Sequence, residues 1–170
     1  VNPLMMTSDP DIFAVGDAVE VNDLVSGFPV LTALAGPANK QGRIAADNAL
    51  GRRTVYRGTL GTSIVKIFGL TVSSTGASEK TLRMRQVPHL VSYTHSNSHA
   101  GYYPGAEMMT IKLIFSPGSG RILGSQIVGG TGVDKRIDVM ATAIRGSMTV
   151  FDLEDIDLAY APPFSSARDP

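Results

Sequence analysis

Residues 107–115 alternate in character, with Met109, Ile111, Leu113 and Phe115 on one side of an extended chain and Met108, Thr110, Lys112 and Ile114 on the other. Successive side chains of a strand point to opposite faces, so this run predicts a strand. Ser116-Pro117-Gly118-Ser119-Gly120 then signals a turn, and residues 122–128 return as an antiparallel partner. A lone hairpin is barely stable in water, so further strands or a helix must cover it. Residues 64–72, apolar and β-branched apart from Lys66, read as one strand, and residues 87–93 as another, followed by a loop over 94–105. Ser78, with Glu79 behind it, caps a short helix reaching Arg85. Asp134 reads as the N-cap of a helix that places Ile137, Met140, Ala141, Ile144 and Met148 on one stripe. Thr149 and Asp152 resemble a capping box. Strands and helices without regular alternation predict an α+β unit over residues 58–170, an antiparallel sheet with helices.

The first part of the chain reads differently. A short apolar run at residues 12–15 predicts a buried strand and stops at Gly16-Asp17. Such an ending puts a carboxylate at the carboxyl end of a sheet, where open α/β sheets bind ligands. Gly16 lets a ligand approach the backbone, and Asp17, acceptor-only when ionised, suits a hydroxyl. A bare Gly-Asp is equally a strand followed by a turn. Residues 18–28 read as a loop and 29–50 as a long alanine-rich helix ending near Gly51, with Pro37 best placed in its first turn. Ala33, Ala35, Gly36 and Ala38 permit close backbone approach. Residues 51–57 form a polar linker. The run at 12–15 cannot make a sheet alone, so residues 1–50 read as the tail of a larger α/β domain.

Composition narrows the functions. Net charge is +0 and no apolar run is long enough to span a bilayer, which argues against a broad nucleic-acid footprint and a membrane role. The chain has no cysteine, so no disulfide, thiolate metal site or cysteine nucleophile lies within it. His89, His95 and His99 have no adjacent carboxylate and do not suggest a metal. No Gly-x-Ser-x-Gly elbow supports hydrolase chemistry. Gly129-Gly130-Thr131-Gly132 lacks the spacing of a dinucleotide turn. Glu154, Asp155 and Asp157 read as a solvated acidic face.

Residues 7–17, with Thr7, Ile12, Phe13, Ala14, Gly16 and Asp17 in place, resemble the second flavin-binding motif of the pyridine nucleotide-disulfide oxidoreductases. Gly58-Thr59-Leu60-Gly61-Thr62, Tyr102-Tyr103-Pro104-Gly105, the block at 132–139 and the final block at 160–170 resemble that family's C-terminal dimerisation domain. The resemblance implies FAD as cofactor, with Gly16 and Asp17 at the ribityl chain and Ala33, Leu34 and Ala35 at a helix start beneath the flavin. It implies that His99 lies near the flavin of the partner subunit. Leu34-Ala35-Gly36-Pro37-Ala38-Asn39 with Gln41-Gly42-Arg43 looks most like the coenzyme A-disulfide reductase branch, in which Lys40 and Arg168 would contact coenzyme A. Tyr-Ala-Pro-Pro stands at 160–163 where the glutathione reductase branch carries His-Pro. By the resemblance, Tyr103 and Tyr160 reach the partner's active site as catalytic residues, with Tyr102 an open alternative to Tyr103.

The implied whole is an NAD(P)H:disulfide oxidoreductase, a cytoplasmic homodimer of which this chain is a C-terminal part, using NADH or NADPH as co-substrate and a redox cysteine outside these residues. NADH oxidase, NADH peroxidase and polysulfide reductase of the same family are alternatives, as is a dimerisation module without activity. The Gly-rich pyrophosphate turn is absent, so FAD is not expected to stay stably bound to these residues alone.

Overall fold

The computed structural model describes residues 1–170. They form two compact units, Val1–Gly61 and Thr62–Pro170.

In the first unit, strands β1 (Glu20–Asn22) and β2 (Pro29–Leu31) pair antiparallel and are followed by helix α1 (Ala35–Ala49). The sequence predicts a loop over 18–28 and a helix from 29, so both expectations are corrected. Asp23 is the reason. Its Oδ1 accepts from the Val25 and Ser26 amides and from Ser26 Oγ, which closes a turn and turns residues 29–31 back as a strand. Pro37 does fall in the first turn of α1, as expected. Residues 12–15 do not form a buried strand. They make one isolated bridge, Met6 with Phe13, and Ile12 is 53% exposed. Only residues 5–7 lie alongside, so no ladder can propagate. The core gathers Met5, Val19, Val21 and Tyr56, with Phe13, Val15 and Ile44 packed against it. Residues 51–57, read as a linker, are tied into this unit. The Tyr56 amide donates to the Pro3 carbonyl (2.8 Å), and Asn48 Nδ2 donates to the carbonyls of Leu4 and Thr54.

The second unit is a five-stranded antiparallel sheet of β3 (Ser63–Ile67), β4 (Leu70–Gly76), β5 (Leu90–Asn97), β6 (Met108–Phe115) and β7 (Ile122–Gly129), in the spatial order β3-β4-β7-β6-β5. Helices α2 (Glu79–Met84), α3 (Val133–Arg145) and α4 (Val150–Glu154) complete it. The single strand predicted over 64–72 is a hairpin. Its two-residue turn is Phe68-Gly69, where Phe68 adopts φ +52 and is 97% exposed. An aromatic residue at the tip extends the apolar run and hides the turn. β5 runs on to Asn97, past the predicted end at 93, because its ladder with β6 continues to Asn97 opposite Met108.

β6 and β7 pair as predicted, and Met109, Ile111 and Ile127 meet Val133 and Ile137 of α3 in one core cluster. A register irregularity between Ile114 and Phe115 accompanies a change of face, and Ile114 is fully buried. Gly76 sits opposite Gly124 across β4 and β7. α3 starts two residues earlier than predicted. Gly132, at φ +80, is the N-cap, and Asp134 sits within the first turn, where a negative charge faces the positive end of the helix. The buried stripe is Val133, Arg136, Ile137, Met140, Ala143 and Ile144, so Ala143 replaces Ala141 and the cation Arg136 joins it. Ser78 caps α2 by accepting from the Thr81 amide, and Thr149 with Asp152 forms the predicted capping box.

Lys112 of β6 donates to Glu79 of α2, Nζ to Oε2 at 2.6 Å, with the two side chains 16% and 19% exposed. Arg83 pairs with the other oxygen of Glu79. The hydrogen bond from Lys112 holds the Glu79 carboxyl below its ordinary value of 4.5, and the same bond holds Lys112 above its ordinary 10.5. A depressed carboxyl stabilises the fold above its unfolded value, and the contribution is lost as pH falls through the folded value. The raised lysine contributes below 10.5, and that contribution is lost as pH rises through its folded value. Lys112→Met is therefore expected to flatten both limbs of the stability curve, the acid limb below 4.5 and the alkaline limb above 10.5. Urea unfolding across pH checks this, and unchanged limbs would show that the pair is not coupled to folding.

Candidate active-site segments

In the first unit, Gly16 adopts φ +71, a conformation that side-chain-bearing residues rarely take. Its amide donates to Gln41 Oε1 at 2.7 Å, and Gln41 is itself buried within α1. That bond pins the Gly-Asp turn against the helix. Asp17 follows in a single 3₁₀ turn (Gly16–Ala18) with its carboxylate exposed. At the start of α1, the N-cap is Leu34, which offers no side-chain cap. The amides of Ala35 and Gly36 therefore have no partner from a capping side chain, and Pro37 has no amide hydrogen at all. Ala33 is exposed just before the helix, and Lys40 is exposed on it. Gln41 carries the geometry here, a role its place in the Gln41-Gly42-Arg43 string does not reveal. The signal was its spacing: Gln41 shares a helical face with Ile44, Ala45 and Asn48, the face that turns to the core.

In the second unit, the segments at 97–107 and 159–170 meet through two hydroxyls. Tyr102 and Tyr160 are 3.2 Å apart, oxygen to oxygen, across 58 residues of sequence. The hydrogen bond with Tyr102 is the main cause that raises the Tyr160 phenol above its ordinary 10.0. Tyr103 points elsewhere and packs edge-on against His99, with ring centroids 5.8 Å apart and planes at 71°. Tyr102, and not Tyr103, is thus the hydroxyl partner of Tyr160. Both nitrogens of the buried His99 are used within its own loop. Nε2 donates to the Pro104 carbonyl (3.3 Å), which can only accept, and in the neutral ring Nδ1 then accepts from Ser98 Oγ (3.1 Å). Ser98 Oγ accepts in turn from the Glu107 amide. Arg168 is exposed on the tail, beside the buried pair of Asp169 with Arg136 (2.5 Å). No three of the histidine, aspartate and glutamate side chains gather into a metal site, and no helix is long and apolar enough to cross a membrane.

Residues 62–169 match the family described as pyridine nucleotide-disulphide oxidoreductase, dimerisation domain. The chain belongs to this family. The reduced CoADR-RHD of Bacillus anthracis is 53% identical with a TM-score of 0.96, over 100% of this chain and 31% of that one. A coenzyme A disulfide reductase of Staphylococcus haemolyticus is 34% identical over 99% of the chain, and an NADH oxidase of Methanocaldococcus jannaschii is 35% identical over 100% of it. The chain spans 38% of the length of each of these two curated relatives. Members of the disulphide oxidoreductase family are FAD-dependent, and the residues of the first unit fit that group. An exposed carboxylate offers an acceptor, an uncapped helix start offers donors, and Gly36 leaves space beside them, with nothing within 4 Å of a Cβ there.

Proposed function

We propose that this chain is the part of a flavin-dependent NAD(P)H:disulfide oxidoreductase, acting on coenzyme A disulfide, that supplies dimerisation and a tyrosine pair to the active site. The observation that carries the reading is the Tyr102–Tyr160 hydroxyl pair. A disulfide reductase must stabilise a departing thiolate, and hydroxyl donors aimed at the developing charge do so. The raised phenol of Tyr160 keeps its hydrogen at neutral pH, so it serves as a hydrogen-bond donor first and a proton donor only if its site is further tuned.

Asp17 would hold a ribityl hydroxyl, with Gly16 giving room beside it and Gln41 keeping the turn in place. The start of α1 at Ala33, Leu34 and Ala35 would face the flavin ring. When bound, FAD carries reducing equivalents from NADH or NADPH to the sulfur substrate. Lys40 and Arg168, both exposed cations, would meet the phosphates of coenzyme A. His99 would stand near the partner's flavin, holding its loop in shape through both ring nitrogens. Oxygen or peroxide as acceptor is the second reading, favoured by the identity to an NADH oxidase.

A polypeptide of the relatives' length that contains this chain is expected to oxidise NADH or NADPH upon addition of coenzyme A disulfide. Oxidation that needs only oxygen, with no thiol released, would move the assignment to the oxidase reading. The second unit also exposes Val65, Ile67, Phe68 and Leu70 around its first hairpin, an apolar surface of the kind that assemblies cover. The same polypeptide is expected to sediment as a two-fold homodimer at micromolar concentration, and a monomeric mass would remove the basis for a shared active site.

A further inference from the structure

We infer that Arg136 is a positioning residue for the Tyr102–Tyr160 pair. The guanidinium is 3% exposed and lies in the first turn of α3. Nη1 donates to the Gly132 carbonyl at 3.1 Å, and Nη2 donates to the Ser98 carbonyl at 3.0 Å and to Asp169 Oδ1 at 2.5 Å. Ser98 begins the segment that carries Tyr102. Asp169, 7% exposed, ends the segment that carries Tyr160. One rigid fork therefore grips both arms at their bases, and the arms meet at their tips in the hydroxyl pair. The neighbouring Lys135 reinforces the second arm, with Nζ 3.5 Å from the Ala159 carbonyl next to Tyr160. Buried Ser165 donates to that same carbonyl at 2.9 Å.

The arrangement is a poor device for stability alone. A buried ion pair loses hydration that its attraction roughly offsets. Here Arg136 Nε is also buried with no partner, which carries a further penalty. What the fork does provide is geometry: a planar group with several donors fixes the relative position of three acceptors, which an ammonium cannot do. Gly132 belongs to the same device, because a Cβ there would come within 2.7 Å of Nη1.

The inference rests on the proposed role of the tyrosine pair, but its test reads geometry and not turnover. Tyrosine labelled with ¹³C at the ring allows Tyr160 to be titrated individually in the chain by NMR. The parent's midpoint is expected to lie above that of Tyr102→Phe, which sets the value without the hydroxyl bond. Arg136→Lys keeps the charge and loses the fork, and Asp169→Asn releases the tail. Both are expected to bring the Tyr160 midpoint down to the Tyr102→Phe value. Leu82→Ala, which empties a fully buried position on α2, is expected to lower stability and leave the midpoint where it was.

A folded Arg136→Lys or Asp169→Asn with the parental midpoint overturns the inference. So does a Leu82→Ala midpoint that moves as far as theirs. If neither Arg136→Lys nor Asp169→Asn folds, the pair is a stability element and the inference falls. If the midpoints move as expected while Tyr102→Phe leaves disulfide turnover unchanged, the positioning stands and the functional reading of the pair fails.

Discussion

Tyr102→Phe combined with Tyr160→Phe is expected to lower turnover of coenzyme A disulfide by roughly 10- to 1000-fold in the longer, flavin-loaded polypeptide, the range seen when a positioned donor is lost. The two oxygens lie 3.2 Å apart, so each orients the other and either single change leaves the remaining hydroxyl without its partner. The effect of the double variant is therefore expected to be less than the product of the single effects. Tyr103→Phe is expected to change turnover far less, because Tyr103 contributes its ring, packed against His99. Reduction of the flavin by the nicotinamide should stay near normal in each of these variants, since the role proposed for these hydroxyls lies in the sulfur half-reaction. Arg168→Ala should raise KM more than it lowers kcat, as loss of uniform binding does. Stopped-flow and steady-state rates separate these outcomes. Parental turnover in the double variant would make the tyrosines structural and leave the substrate assignment without its main support.

Gly124→Ala is expected to destabilise the second unit by more than about 3 kcal/mol. A Cβ at this position would stand 2.1 Å from the Ala77 carbonyl oxygen and 3.1 Å from its amide nitrogen. Those are backbone atoms, held because the Ala77 amide donates to the Leu123 carbonyl at 2.9 Å, so no side chain can swing aside. Gly76, opposite it in the ladder, is equally constrained, with φ +69 and a Cβ that would meet the Leu123 carbonyl at 2.5 Å. The chain can cross from β4 towards α2 only because neither residue carries a side chain. Gly42→Ala on α1 is the contrasting control. Nothing lies within 4 Å of a Cβ there, so the change should stabilise the first unit by about 0.5–1 kcal/mol through helix propensity. Thermal unfolding of both variants checks the pair, and a Gly124→Ala midpoint within a few degrees of the parent would show that the crossing can relax.

How far the sequence revealed this molecule depended on whether a feature was local. The turn after β6, the Ser78 cap and the Thr149–Asp152 box are written in neighbouring residues and are present in the structure, while the alternation of β6 holds at Met109 and Ile111 and is lost where Ile114 turns inward. The Phe68-Gly69 turn escaped because its tip is apolar, and the β1–β2 hairpin escaped because Asp23 sets it through side-chain bonds that no hydrophobic period reveals. Gly16 and Asp17 stood out by resemblance, yet the contact that orients them comes from Gln41, 25 residues away. The tyrosines stand out as a group in the sequence, but the adjacent Tyr102 and Tyr103 meet different partners. Only the fold of both arms tells which one meets Tyr160. Arg136 was the least legible. A cation in the buried stripe of a helix contradicts the amphipathic pattern until its acceptors at residues 98, 132 and 169 are seen together.

Anchoring both arms to one helical turn also frees the exposed turn between β6 and β7 to change. The turn at Pro117, Gly118 and Ser119 is exposed and lies outside the sheet ladders, while its base is closed by the Ser116 amide on the Arg121 carbonyl and the Gly120 amide on the Ser116 carbonyl, both at 2.9 Å. Chain length added at that tip has no lever on either arm, since neither Ser98 nor Asp169 takes its position from it. A fluorophore tether, an epitope or a surface-attachment sequence could enter there as a handle on the protein, leaving the hydroxyl pair in register.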